Sequence, residues 1–176
     1  MQKIIAVDVD GVLADIHTPW LARYNKDYND DFTIQDIKSW GIEKYVKKEC
    51  GKKILGYLGD PSLYEDTLPV LDSRYGVNIL RNVGFRVVFV TDASFNPNLK
   101  MKWLQKWNFL TDTKDYYEAV DKSLIAADYL IDDRKENVQS AYGKGIIFSQ
   151  PWNRTLRGYF RLDSWAGVVN LLERGT

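Results

Sequence analysis

Two carboxylates stand two residues apart in the stretch DVDGVLAD, residues 8–15, directly after an apolar run. Side chains alternate across a strand, so Asp8 and Asp10 lie on the same side as the chain leaves the sheet, and Gly11 permits the sharp turn that follows. Because close carboxylates repel, their joint ionisation needs a cation or a shared proton. Mg²⁺ prefers hard oxygen ligands and keeps waters and a substrate phosphate in its shell. The pair therefore predicts a magnesium site for phosphate chemistry.

Three further polar signals stand at or between the ends of other apolar runs. Thr91 and Asp92 follow RVVFV and could hold phosphate oxygens through a hydroxyl and loop N–H groups. Lys122 could neutralise the charge that develops on a transferring phosphoryl group. Asp132 and Asp133 form a second acid pair that could complete a metal shell. A lone acid at the end of a strand usually caps a helix or is solvated, but that interpretation does not explain all these signals together.

The elements that must position these residues read as strands alternating with helices. Short β-branched runs that end in polar residues are typical of strands buried on both faces of a parallel sheet. Strand alternating with helix predicts an α/β fold with a doubly wound parallel sheet. The predicted strands are Lys3–Val9, Arg86–Thr91, Tyr129–Ile131 and Ile146–Ser149, and the predicted helices are Asp72–Asn82, Pro97–Trp107, Glu136–Tyr142 and Ser164–Arg174.

A long section after the first strand, residues 17–71, contains no strand pattern. Trp20, Leu21, Tyr24 and Tyr28 recur there at helical spacing. We interpret residues 17–71 as a small helical cap and residues 1–16 with 72–176 as the catalytic core. An insertion at the carboxyl end of the first strand would lie over the crevice where doubly wound sheets bind ligands. The cap is therefore the expected source of substrate selection.

Composition excludes several classes of protein. The chain has 176 residues, enough for one domain with an insertion, and its 24 basic and 24 acidic residues give a net charge of +0. A neutral chain without a basic stripe predicts no binding of double-stranded nucleic acid. Acids interrupt the apolar N-terminal run, so neither a signal peptide nor a membrane span is expected.

The single cysteine, Cys50, agrees with a reducing compartment, and we expect a cytoplasmic protein. The sequence leaves a homodimer open.

The motifs DVDGVLAD, VVFVT, a downstream Lys and LIDD occur in the order found in the haloacid dehalogenase-like superfamily, and they span residues 8–133. Together with DKSLIAADYLIDDR and FSQPWNR, the form of the first motif resembles the 5'(3')-deoxyribonucleotidase family within that superfamily. The resemblance implies a Rossmann-like core and a magnesium-dependent phosphomonoesterase that acts on nucleoside monophosphates.

The resemblance also implies roles for individual residues. Asp8 would be the nucleophile that forms an aspartyl-phosphate, and Asp10 would act as general acid and then general base. Mg²⁺ would be held by the Asp8 carboxylate, the Asp10 backbone carbonyl and Asp133, with Asp132 supporting them. Thr91, Lys122 and the backbone N–H of Asp92 would bind the phosphoryl group.

This chain departs from the family pattern at two positions. The family has Ser after the motif Thr, whereas this chain has Asp92, whose side chain must then point away from the phosphate. An aromatic residue that stacks on the base follows the first motif in the family, but Ile16 stands here. Trp40 in the predicted cap could supply a stacking face instead. His17 reads as a hinge residue or a substrate contact, and Arg134 and Arg154 as phosphate contacts or structural partners of an acid.

Two other functions compete with a nucleotidase. A phosphatase of other small phosphate esters or of nucleic acid 3'-phosphate ends would share the chemistry, although the latter should present a basic groove. A non-enzymatic signalling receiver domain also combines acids, Thr and Lys on a parallel sheet. Its phosphorylated Asp ends a middle strand, whereas here the Asp-x-Asp pair follows the first strand and precedes a long insertion.

Overall fold

A six-stranded parallel sheet with the order β3-β2-β1-β4-β5-β6 forms the centre of the molecule. The structure is a computed structural model that describes residues 2–92, 94 and 98–173. The first strand lies in the middle, and the chain builds outward first on one side and then on the other. This order confirms the doubly wound α/β prediction. The strands are β1 (Ile4–Val7), β2 (Arg86–Thr91), β3 (Tyr116–Glu118), β4 (Tyr129–Asp132), β5 (Lys144–Phe148) and β6 (Phe160–Leu162).

The helices agree with the predicted pattern except at their ends. Pro97 and Arg174, which were predicted to belong to helices, lie outside the described residues. Trp103 and Leu104 are buried, as expected for core packing. The α-helices are α1 (His17–Tyr28), α2 (Ser62–Asp66), α3 (Ser73–Asn82), α4 (Leu99–Lys106), α5 (Lys135–Ser140) and α6 (Val168–Glu173).

Strands β3 and β6 were not predicted, and the predicted first strand, Lys3–Val9, is one residue longer at its start and two residues longer at its end than β1. Both missed strands are three-residue edge strands whose side chains are mostly half-buried or exposed, so neither presents a long apolar run. Strand β1 ends at Val7 because the carbonyl of Val9 accepts hydrogen bonds from the N–H groups of Leu13 and Ala14. The backbone therefore turns at the point where the ladder would have continued.

Residues 17–71 contain α1, α2 and several 3₁₀ turns, and no strand of the sheet lies in this segment. Its buried side chains, including Trp20, Tyr24 and Ile54, belong to the same hydrophobic cluster as residues of β1 and β2. The segment also joins α4, because the Trp103 indole N–H donates to the carbonyl of Thr67 at 2.9 Å. The insertion is thus packed directly on the core. Within the described ranges, no helix combines the length and apolar character needed to cross a bilayer.

Candidate active site

The predicted site residues meet at the carboxyl ends of β1, β2 and β4, where the strand order reverses. Val7 is in register with Phe89 of β2 and with Ile131 of β4. The backbone N–H of Asp8 continues this pairing by donating to the carbonyl of Ile131 at 2.9 Å. Strands of a parallel sheet that end at the same level bring their following residues together. We call Asp8, Asp10, Thr91, Lys122, Asp132 and Asp133 the strand-end site.

Lys122 lies between two of the acids. Its Nζ is 2.7 Å from Asp8 Oδ1 and 2.6 Å from Asp132 Oδ2, and its side chain is only 3% exposed. Burial lowers the pKa of Lys122, but the negative charges of Asp8 and Asp132 together raise it by more. The net pKa therefore lies above its usual value. Lys122 is therefore a fixed cation beside the Asp8 carboxylate.

Three carboxyl groups, those of Asp8, Asp132 and Asp133, each place an oxygen within 4.8 Å of the other two. Burial, opposed by Lys122, raises the pKa of Asp8 to about 7, and burial with the neighbouring acids raises that of Asp133 well above its usual value. A cation among these oxygens would favour their ionised forms. The group could therefore bind a metal ion, and Asp8 and Asp133 are close enough to share it.

Both oxygens of the Asp10 side chain have partners outside this acid group. Its Oδ1 accepts a hydrogen bond of 2.5 Å from the Tyr64 hydroxyl of α2, and its Oδ2 is 2.8 Å from Lys100 Nζ of α4. Lys100 also donates to Thr91 Oγ1 at 3.0 Å and to the carbonyl of Asp92. A cation thus lies between the predicted acid and base, Asp10, and the predicted phosphate ligand, Thr91.

The carboxylate of Asp92 accepts hydrogen bonds from Ser94, from its backbone N–H at 2.9 Å and from its hydroxyl. Asp92 also lies on the edge of the cavity described below. Partial burial raises the pKa of Asp92. The two hydrogen bonds from Ser94 and the positive charges of nearby lysines together lower it by more, so the net pKa lies below its usual value. Asp92 is therefore a carboxylate that is turned toward its own loop.

The backbone at Gly11 requires a glycine, because it has a positive φ and lies against the Asp133 side chain. Its φ is +74°, in the left-handed region, and a Cβ atom would lie 2.9 Å from Asp133 Oδ2. A side chain at this position would displace the Asp133 carboxylate. The absence of a side chain at Gly11 thus leaves room for that carboxylate in the acid group.

A cavity of about 480 Å³ opens onto the strand-end site. Its volume is in the range of small-molecule sites. All predicted site residues line it except Asp132, which is fully buried behind Lys122. Ile16 and Trp40 both line it, with Ile16 2% exposed and Trp40 47% exposed. The inserted segment supplies a group of apolar side chains that we call the cavity wall: Trp20, Ile37, Trp40, Ile42, Leu55 and Leu58.

His17 and Arg134 lie at this cavity, and Arg154 is not among the residues that line it. The His17 ring contacts Trp152 at a centroid distance of 4.8 Å, and burial lowers its pKa to about 4, so it is neutral at pH 7. The Arg134 guanidinium lies 5.0 Å from the Trp40 ring centroid and 3.4 Å from Glu136. Arg134 thus contacts an aromatic ring and an acid, Glu136.

Three residues of the site were not found from the sequence. Tyr64 and Lys100 bind Asp10, and Trp152 borders the cavity beside His17. Tyr64 and Lys100 are helical residues, with no strand end to mark them. Trp152 belongs to the FSQPWNR stretch that begins at the end of β5. Its position after the carboxyl end of a parallel strand is the signal that could have marked it.

The chain matches known proteins over nearly its whole length. Residues 2–175 match the family "5' nucleotidase, deoxy (Pyrimidine), cytosolic type C protein". The chain is 31% identical to the 5'(3')-deoxyribonucleotidase of Bacillus subtilis, with 98% of this chain and 99% of that protein covered. It is 29% identical to the protein of the same name from Clostridium acetobutylicum, with 98% and 96% covered.

A haloacid dehalogenase-like hydrolase from Streptococcus pneumoniae superposes with a TM-score of 0.64 at 9% identity, with 99% of each chain covered. A hydrolase from Pseudomonas syringae superposes with a TM-score of 0.62 at 14% identity, with 99% and 100% covered. These two likenesses concern the fold. The chain has the haloacid dehalogenase-like fold and belongs to the 5' nucleotidase, deoxy (pyrimidine), cytosolic type C family.

Proposed function

We propose that this chain is a magnesium-dependent phosphomonoesterase that forms an aspartyl-phosphate on Asp8 and acts on nucleoside monophosphates as a 5'(3')-deoxyribonucleotidase. The observation that carries the proposal is the Asp8 carboxylate at the floor of the cavity, 2.7 Å from the buried ammonium of Lys122. The Bacillus subtilis and Clostridium acetobutylicum relatives are both named 5'(3')-deoxyribonucleotidase, which supports the substrate class. The family description, which names cytosolic proteins, supports a cytoplasmic location.

The donor set around Asp8 fits Mg²⁺. Asp8 and Asp133 would hold the ion with the backbone carbonyl of Asp10, and Asp132 would support them from behind Lys122. The ammonium groups of Lys100 and Lys122 leave a net formal charge of −2 on the four ionised carboxylates of this region, which are those of Asp8, Asp10, Asp132 and Asp133. A divalent cation offsets that charge. When bound, Mg²⁺ would stabilise the negative charge of the phosphate and let it approach the acids.

Asp8 attacks phosphorus through a carboxylate oxygen in the first step. The new P–O bond to Asp8 forms as the ester P–O bond breaks, and Asp10 delivers a proton to the departing alcohol oxygen. In the second step Asp10 takes a proton from water, which attacks the aspartyl-phosphate and releases inorganic phosphate. Tyr64 and Lys100 hold the two Asp10 oxygens, and we propose that they fix its orientation for both transfers.

Thr91, Lys122 and Lys100 would bind the phosphoryl group. Lys122 is held by Asp8 and Asp132, so its charge is in place before the substrate arrives. Lys100 already donates to Thr91 and lies beside Asp10. We propose that its ammonium group contacts the phosphoryl oxygens and offsets the charge that develops there.

The cavity wall would receive the nucleoside. We propose that residues 17–71 act as the substrate-selecting cap, because this segment supplies the apolar surface opposite the strand-end site. Trp40 is the candidate stacking face, and Ile16 borders the sugar or the base. Trp40 lines the cavity and is 47% exposed, so part of its surface is accessible to a ligand.

Phosphate release from a panel of substrates tests this function. Purified protein with Mg²⁺ is expected to hydrolyse deoxyribonucleoside 5'- and 3'-monophosphates faster than sugar phosphates or an oligonucleotide with a 3'-phosphate. Activity confined to sugar phosphates would reject the nucleotide substrate and retain the chemistry. A stable phosphoprotein formed from a small phosphodonor, without turnover, would reject the hydrolase and favour a receiver-like role.

A further inference from the structure

Residues 150–153 form a turn between β5 and β6 that reaches both loops of the proposed metal site. The turn begins at Gln150 and includes the 3₁₀ segment Pro151–Asn153. Gln150 Nε2 donates to the carbonyl of Gly11 at 2.5 Å, in the loop that follows Asp8 and Asp10. Asn153 Nδ2 donates to the carbonyl of Asp133 at 2.8 Å. One short turn thus binds the backbone of the two segments whose acids would share an ion.

The Asn153 side chain is buried in this turn, and all its polar atoms make hydrogen bonds. It is 2% exposed, and its Nδ2 also donates to the carbonyl of Phe148 at 2.8 Å. Its Oδ1 accepts from the N–H of Gln150 at 3.1 Å and from Arg161 Nη1 at 2.9 Å. Each polar atom of the Asn153 amide therefore has two partners. A buried amide with all its hydrogen bonds made fixes the groups that it binds.

The guanidinium of Arg161, in β6, makes hydrogen bonds to this turn. Besides Asn153 Oδ1, the guanidinium donates to the carbonyls of Asn153 and Leu156, both at 3.1 Å. A chain of hydrogen bonds therefore runs from the edge strand through Asn153 to the backbone of Asp133. These hydrogen bonds connect β6, a short edge strand, to the centre of the site.

We infer that the turn at residues 150–153 is the positioning element of the metal site, with Gln150 and Asn153 fixing the separation of the loops that carry Asp8 and Asp133. The inference rests on the proposed metal site and adds to it residues that contact neither ion nor substrate. Outer partners that orient metal ligands commonly change metal affinity by about 10- to 100-fold when they are removed. Of these two residues, Asn153 is expected to have the larger effect on metal affinity, because it binds the backbone of Asp133, a proposed metal ligand. Gln150 binds the backbone of Gly11, which is not a ligand.

Metal affinity measured without substrate tests the inference. Metal-free protein is titrated with Mn²⁺, and the free ion is followed by its electron paramagnetic resonance signal. Asn153→Ala is expected to weaken Mn²⁺ binding about 10-fold or more, and Gln150→Leu to weaken it several-fold. Gln150 is only half-buried, so its variant keeps the inference testable if Asn153→Ala does not fold.

Val77→Ala in α3 is the matched control, because Val77 is 1% exposed and lies outside the residues that line the cavity. It should lower the melting temperature and leave Mn²⁺ affinity unchanged. Wild-type affinity in both turn variants would overturn the inference while leaving the proposed function intact, as would an equal loss of affinity in Val77→Ala. Failure of the wild-type protein to bind Mn²⁺ would overturn the metal part of the proposed function and this inference with it.

Discussion

The strand-end site and the cavity wall face each other across one cavity, but different forces hold their side chains. In the strand-end site, Lys122, Asp132 and Asp8 are joined by ion pairs of 2.6 and 2.7 Å. In the cavity wall, Trp40 is held by ring contacts, with Trp152 at 6.2 Å and the Arg134 guanidinium at 5.0 Å. The first region is preorganised for charge, whereas the second offers an apolar surface to a ligand. Chemistry and substrate selection are therefore expected to respond to different substitutions.

The sharpest test of this division is Asp8→Asn, which removes the nucleophile. Turnover should fall by about 10⁴-fold or more for every substrate, because no covalent intermediate can form. Steady-state phosphate release from a nucleotide and from p-nitrophenyl phosphate measures the loss. Asp112→Asn, a change at a half-exposed acid paired with Lys114, is the control and should be neutral. Activity retained on either substrate would break the assignment of the chemistry to Asp8.

The second prediction concerns the cation that the sequence analysis missed. Lys100→Met should lower kcat about 10²-fold, because it removes a charge beside both Thr91 and Asp10. Lys102→Met is the matched control, since Lys102 is exposed on the same helix, and it should retain full activity. Equal kinetics for the two variants would show that Lys100 has only a structural role.

The third prediction uses pH to probe the acid group. The pKa of Asp8 is raised to about 7, so between 3.8 and 7 the folded protein holds a proton that the unfolded chain has lost. This group therefore makes the metal-free protein less stable as the pH rises through that window. Mg²⁺ must displace this proton, and its apparent affinity should fall by up to about tenfold per pH unit below 7.

The measurement is the Mg²⁺-induced rise in melting temperature at equal ion concentration. The rise should be larger at pH 8 than at pH 6. An equal rise at both values would mean that Asp8 is already ionised at pH 6 before the ion binds, and it would contradict the raised pKa of this carboxyl group.

The smallest expected effect belongs to the cavity wall. Trp40→Ala should raise KM for a nucleoside monophosphate about fivefold, near 1 kcal/mol, the lower end of the range for stacking on a base. KM for p-nitrophenyl phosphate and kcat for both substrates should change little. Tyr75→Ala, at an exposed aromatic residue of α3 that does not line the cavity, is the control. A loss of kcat on both substrates would break the separation of chemistry from selection.

Much of the strand-end site could be predicted because its signals are local. Asp8, Thr91 and Asp132 each lie at or directly after the end of a buried strand, and parallel strands that end together bring such residues into contact. Tyr64 and Lys100 could not be predicted in this way. Tyr64 reaches Asp10 across 54 residues of chain, and no period or strand end marks either residue. The edge strands β3 and β6 were missed because short, half-exposed strands lack an apolar run.

The sequence by itself determined the parallel α/β sheet, the acids at its centre and the long insertion after the first strand. These features follow from hydrophobic period and from residues that are adjacent in the chain. Only the tertiary structure decided that Asp10 contacts Tyr64 and Lys100, that Lys122 bridges Asp8 and Asp132, and that Asn153 binds the backbone of Asp133. Those contacts join distant segments, and their geometry depends on how helices and loops pack, which no local pattern encodes.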